Sequence, residues 1–140
     1  SRFEKVGMYK TSPVYSDYGH HPTEIIATLQ GARELYPHRR LVLLFQPHQY
    51  DRTKKLFNDF LPALSIADFS IIADVYDVAG REEDRSVNSE MLATACNSEN
   101  VVYGGDLDQS RNRLLSEVKE RDVIIIMGAG EVDRIAREIV

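Results

Sequence analysis

Cysteine is nearly missing from this chain. Cys96 stands alone among 140 residues, which excludes an internal disulfide framework and any cysteine-built zinc site. A basic excess is missing too. The balance of 17 Lys and Arg against 22 Asp and Glu gives a net charge of −5, the opposite of the basic face that a dedicated nucleic-acid binder carries. No apolar run approaches the roughly 18 residues of a membrane span, and no charged-then-apolar leader opens the sequence. Nor does G-x-x-x-x-G-K-[ST] occur anywhere, so the chain encodes no phosphate cradle of the P-loop kind. These absences lead to the expectation of a cytoplasmic protein with neither nucleic acid nor membrane as partner. Cys96 reads as a small hydrophobe on a helix.

What is present suits one ordinary globular domain, with 43% apolar and 28% charged residues. The ends are abrupt. The chain opens on Ser1-Arg2-Phe3-Glu4 and stops at Ile135-Ala136-Arg137-Glu138-Ile139-Val140 while still amphipathic. The expectation is a domain of a longer protein.

Apolar runs alternate with helical stripes. Val6–Lys10 and Pro13–Asp17 read as a strand pair about Thr11-Ser12-Pro13, with Pro13 confined to a strand start or edge because it has no N–H to donate. Ile25, Leu29, Ala32 and Tyr36 share one helical face, which opens at Pro22 and closes before Pro37. Leu41–Phe45 is a continuous apolar run, as expected where both faces of a parallel sheet are covered. A polar loop over Gln46–Thr53 leads to a second helix carrying Leu56, Phe57, Phe60, Leu61 and Leu64. Phe69–Ala73 is another buried strand, and a charged loop, Asp74–Ser86, follows it. A helix over Asn88–Cys96, a short strand at Val101–Tyr103 and a helix with Leu107, Leu114, Leu115 and Val118 come next. Val123–Met127 is the last strand, and Gly128-Ala129-Gly130 turns into the final helix. Such alternation predicts a three-layer α/β domain. Its sheet is mostly parallel, with about six strands and one antiparallel edge strand.

In sheets of this type ligands lie beyond the carboxyl ends of the strands. Two polar loops there have unusual composition, Asp17–His21 and Gln46–Arg52, and both should open on the same rim. In the first, Asp17 ends a strand, Tyr18 and His20 flank Gly19, and Pro22 begins a helix whose free N–H groups favour anions. A carboxylate at that position suits ribose hydroxyls, and an imidazole suits phosphate or carboxylate. The plainer reading makes Asp17 a helix cap and leaves His20 and His21 to satisfy local backbone. Adjacent histidines point apart, and Asp74, Asp77, Glu82, Glu83 and Asp84 read as a solvated loop, so no metal site is assigned. In the second loop His48 and Arg52 lie four residues apart. The guanidinium fork of Arg52 suits a carboxylate or phosphate, and a cation at a helix start opposes the dipole unless an anion joins it. Gly128-Ala129-Gly130 lacks the third glycine of a dinucleotide fingerprint, since Asp133 stands there, and reads as a tight turn.

Taken together, Arg2-Phe3-Glu4, the segment Asp17-Tyr18-Gly19-His20-His21-Pro22-Thr23-Glu24-Ile25 and the segment Phe45-Gln46-Pro47-His48-Gln49-Tyr50-Asp51-Arg52-Thr53 resemble the carboxy-terminal domain of the Mur ligases. The alanine-adding branch of that family fits best. Asp74-Val75-Tyr76, Ala79-Gly80 and Met127-Gly128-Ala129-Gly130 agree with later motifs, so the likeness spans the chain. Three positions depart from the pattern: Ser16 and Glu131 replace aspartates, and Gln49 replaces an arginine.

The resemblance implies a Rossmann-like closing domain of a three-domain enzyme. Its other domains, an amino-terminal UDP-binding one and a central ATPase holding ATP and Mg2+, are absent here. It implies ATP-dependent ligation of L-alanine to UDP-N-acetylmuramate through an acyl phosphate, in peptidoglycan precursor synthesis, with the fragment alone inactive. Carried over by position, Arg2 approaches the ATP phosphates, Asp17 the nucleotide ribose, and Tyr18 and His20 line the nucleotide side. His20, His48 and Arg52 face the substrate, with Arg52 on a carboxylate. A tripeptide-recycling muramyl ligase and a stand-alone nucleotide or amino-acid binding module remain as alternatives.

Overall fold

In the computed structural model, which describes residues 3–77 and 84–140, the elements follow in this order. They are β1 (Glu4–Tyr9), β2 (Ser12–Asp17), α1 (Pro22–Leu35), β3 (Leu41–Phe45), α2 (Tyr50–Lys55), α3 (Phe57–Leu64), β4 (Phe69–Ala73), α4 (Ser89–Ala95), β5 (Val101–Gly105), α5 (Leu107–Glu117), β6 (Val123–Met127) and α6 (Asp133–Ile139). The strands form one sheet in the order β1-β2-β6-β3-β4-β5. Only β1 runs antiparallel, against β2; the other pairs are parallel. The fold class is the one expected from the sequence.

The apolar pentapeptides β3, β4 and β6 are buried at every position, because helices cover both faces. Side chains alternate across the sheet. Tyr15, Leu43, Phe45, Ile125 and Met127 face one core with Ile25 and Leu29 of α1 and Phe60 of α3. Val14, Val42, Leu44, Ile124 and Ile126 face the other, with Leu114 of α5 and Ile135 of α6. Burying one such side chain is worth about 1.5–3 kcal/mol, so each strand is held from both sides. Pro13 is the second residue of β2 and precedes the register with β6, which starts at Val14. Its missing N–H therefore costs no bond in that ladder.

Two expectations are corrected. The single helix expected after a loop over residues 46–53 is two helices, with the first beginning at Tyr50. Gln49 starts it early by accepting both the Thr53 N–H at 3.1 Å and the Thr53 hydroxyl at 2.8 Å. Leu56, at φ −102° and ψ 13°, bends the chain between the two. Likewise α6 starts at Asp133, so a turn of several residues, not a direct entry, follows Gly128-Ala129-Gly130. Arg2, Ala79, Gly80, Glu82 and Glu83 lie outside the described residues.

Candidate functional site

Three neighbouring strand tips form the floor of the site. Asp17 of β2 is level with Met127 of β6, which is level with Phe45 of β3. Past these residues the backbone stays laced. The Gly128 N–H donates to the Asp17 carbonyl at 3.1 Å, and the Gln46 N–H donates to the Met127 carbonyl at 3.0 Å. The loops after β2, β3 and β6 thus open on one rim, as the strand order requires. Gly128 permits the lacing: a Cβ there would lie 2.7 Å from Val132 Cγ1 and 3.0 Å from the Gln46 carbonyl oxygen.

The first loop is built around Asp17, which is 1% exposed. One carboxylate oxygen accepts the Gly19 N–H at 2.7 Å and the other the Thr28 hydroxyl of α1 at 2.8 Å. The plainer reading of Asp17 is corrected: it is not the helix cap, and its carboxylate is buried beneath the loop. The cap is His21, whose Nδ1 accepts the Thr23 N–H at 3.3 Å. Glu24 completes a capping box by accepting the His20 and His21 N–H groups at 3.1 and 3.0 Å. The Glu24 and Ile25 N–H groups both donate to the His21 carbonyl. The opening donors of α1 are therefore already satisfied, and the expected open anion site there is closed from within.

Glu24 gives this loop an acid limit. Burial alone would raise its pKa, but the His20 and His21 backbone donors outweigh burial and hold it below the usual carboxylate value. A lowered folded-state pKa contributes stability above the unfolded value of about 4.3, and that stability is lost as pH falls through the folded value. Glu24→Gln preserves the capping shape without the charge. It should be less stable than the parent at neutral pH, and the gap should close as pH drops below about 4. Urea midpoints across a pH series measure this. A gap constant down to pH 3 would exclude the charged cap.

The second loop meets the first directly. The His20 and His48 rings lie 5.5 Å apart. His48 stacks on Tyr76 at 5.3 Å with 16° between the rings, and Arg52 Nη1 lies 3.5 Å from His48 Nδ1. Backbone bonds fix the stack: the Gln49 N–H donates to the Tyr76 carbonyl at 3.1 Å, and the Tyr76 N–H to the Pro47 carbonyl at 2.8 Å. Gln49 adopts φ 69°, a left-handed conformation that costs a non-glycine residue about 1 kcal/mol or more and clusters at functional sites. Tyr18 stands out from the rim at 49% exposure.

The structure thus gathers His20, His48 and Arg52, leaves Tyr18 exposed beside them, and places Asp17 behind. Sequence reasoning gave Tyr76 no role. The available signal was its place just past β4, on the same rim. Ser16, on the opposite face of β2 from Asp17, donates its hydroxyl to Asp133 of α6. Among the described residues no group of three or more His, Cys, Asp or Glu side chains could hold a metal ion, so no step is assigned to the Mg2+ implied by the resemblance. No described helix is long and apolar enough to cross a membrane.

The family described as Mur ligase, glutamate ligase domain, matches residues 1–130. A UDP-N-acetylmuramate–L-alanine ligase of Bdellovibrio bacteriovorus is 41% identical over 138 residues, covering 99% of this chain and 30% of that protein. The crystal structure of a UDP-N-acetylmuramate–alanine ligase from Thermotoga maritima superposes with a TM-score of 0.76 at 25% identity, over 99% of this chain and 28% of that one. A murein peptide ligase from Psychrobacter arcticus shares the fold, with a TM-score of 0.74 at 20% identity, over 98% of this chain and 28% of that one. The chain spans less than a third of the length of the curated relatives it matches, 30% of one and 29% of another.

Proposed function

The chain belongs to the Mur ligase, glutamate ligase domain family, and from that membership we propose that it is the carboxy-terminal domain of an ATP-dependent ligase joining L-alanine to UDP-N-acetylmuramate. The observation that carries this reading is the meeting of two distant loops, with His20 and His48 5.5 Å apart and Arg52 beside them. ATP, held mainly by a central domain outside this chain, supplies the phosphoryl group that activates the muramyl carboxylate. The alanine amine then attacks the acyl phosphate and phosphate leaves. What this domain contributes is placement. Arg52 offers two parallel N–H donors to a substrate carboxylate. His48 is fixed between the His20 and Tyr76 rings and presents an edge to the same group. Tyr18 and His20 line the nucleotide side, and the family resemblance assigns Arg2 to the ATP phosphates. Asp17 serves by holding the Gly19 turn in place from behind. Gathering reactants on such a rim removes translational and rotational freedom before the chemical step.

The relative at 41% identity is an alanine ligase, which favours this reading over tripeptide recycling. Phosphate release tests it. The intact enzyme should release phosphate when ATP, UDP-N-acetylmuramate and L-alanine are all present, and this chain alone should release none. Turnover by the isolated chain, or an intact enzyme that prefers tripeptide to L-alanine, would overturn the proposal.

A further inference from the structure

Tyr76 belongs to neither apolar core among the described residues. Its side chain is half-buried on the rim and stacked on His48. Its hydroxyl forms no hydrogen bond with the described residues. Neither core packing nor a polar contact therefore accounts for this residue, and the flat ring is what it offers its neighbours.

The backbone fixes that ring from two directions. The paired register of β3 and β4 ends at Phe45 and Ile72, and the two chains meet again in one parallel bridge, His48 with Tyr76. The loop after β6 supplies the other restraint. A Cβ on Gly130 would stand 2.7 Å from Tyr76 Cγ, and 2.8 and 3.1 Å from its two Cδ atoms. Separations this short leave room for a bare glycine backbone and for no side chain. Loops from three neighbouring strands, β6, β3 and β4, thus converge on one ring.

The shape of the ring determines what it does there. Two flat rings in contact resist turning out of their common plane, because rotation drives the edge of one into the face of the other. With 16° between the planes, Tyr76 restrains the His48 imidazole about its side-chain axis. Arg52 Nη1 lies 3.5 Å from His48 Nδ1, so turning the imidazole moves the atom against which Arg52 is placed. A misplacement of about 1 Å at a reacting site can cost about a hundredfold in rate.

We propose that Tyr76 and Gly130 are positioning residues for the ligase reaction, a role that rests on the substrate contacts proposed above for His48 and Arg52. The Tyr76 ring, seated against Gly130, sets the plane of the His48 imidazole, and His48 in turn sets the place of Arg52.

Kinetics of the intact enzyme test this role, with a urea midpoint for each variant. Tyr76→Phe keeps the ring and should behave as the parent. Tyr76→Leu keeps bulk without a plane. It should lower kcat/KM for L-alanine and UDP-N-acetylmuramate about tenfold or more, with KM for ATP within about twofold of the parent. In a His48→Ala background the same change should cost little more, because the residue it acts through is gone. Gly130→Ala retains Tyr76 but displaces it, so it should reproduce most of the loss, and it carries the test if Tyr76→Leu fails to fold. A second readout needs no substrate. The His48 ring-proton signals of this chain, shifted by the stacked ring, should be parental in Tyr76→Phe and moved in Gly130→Ala. The role falls if Tyr76→Leu and Gly130→Ala keep parental kinetics, or if Tyr76→Phe is as damaging as Tyr76→Leu. It falls equally if the losses from Tyr76→Leu and His48→Ala add, or if Gly130→Ala leaves the His48 signals in place. An intact parent that does not ligate L-alanine would instead sink the function proposed above, and the His48 signals would still decide whether Tyr76 and Gly130 hold the imidazole.

Discussion

Arg52→Ala in the intact ligase is expected to lower kcat/KM by about a hundredfold, the upper range for losing a charge-assisted hydrogen bond. The expectation comes from geometry. Arg52 sits midway along the six-residue helix α2, at the rim beside His48. Its recorded contact in the isolated domain is His48, at 3.5 Å. The fork is thus held on the rim, where the proposed function places the substrate carboxylate. Folding should survive, because partly exposed side chains away from the core rarely shift stability by more than about 0.5 kcal/mol. Arg52→Lys should recover only part of the loss, since an ammonium cannot bind a carboxylate through two parallel donors. Steady-state kinetics with L-alanine and UDP-N-acetylmuramate varied separately, together with a urea midpoint, decide the matter. Wild-type kinetics in the alanine variant would take Arg52 out of the site.

Asp17→Ala should act through folding. Removing this carboxylate strands two buried donors, the Gly19 N–H and the Thr28 hydroxyl. Each stranded donor costs about 1–3 kcal/mol, so a loss of about 3 kcal/mol is expected. Thr28→Val removes one of those donors. In the Asp17→Ala background it should therefore cost much less than it does alone, and the two changes should be non-additive. Chemical denaturation of the four proteins completes the cycle. Strict additivity would show that the Asp17–Thr28 bond is not what holds the loop. A stable Asp17→Ala protein with weakened nucleotide affinity would instead favour the ribose contact that the resemblance implies for this residue.

The parts legible in the sequence were those fixed by short-range physics. Leu41–Phe45, Phe69–Ala73 and Val123–Met127 could only be strands covered on both faces, and their tips located the rim. Pro22 and Pro37 bracketed α1 because one residue costs nothing at a helix start and the other cannot continue a helix. The break at Leu56 was not legible, since Leu56, Phe57 and Phe60 keep a helical period across it. The cap was misread for a related reason. Asp17 looks like a capping acid, but the loop length brings His21 to the cap position and leaves Asp17 to α1 from beneath. His20 and His48 could be assigned to one rim from the strand pattern, whereas their ring contact depends on β6 lying between β2 and β3. Tyr76 could be placed on the rim from its position just past β4, but its stacking on His48 was beyond reach, because it depends on β3 and β4 being neighbours.

The two backbone bonds that stitch Asp17 to Gly128 and Met127 to Gln46 act as a ruler across three loops. Adding or deleting a residue upstream of any stitch would slide its loop along the sheet and turn alternate side chains to the wrong face. Exchange of loops with other family members should therefore place its joints downstream, after Asp17, Gln46 and Gly128. There the grafted segments inherit a common origin, and differences in loop length do not propagate into the strands.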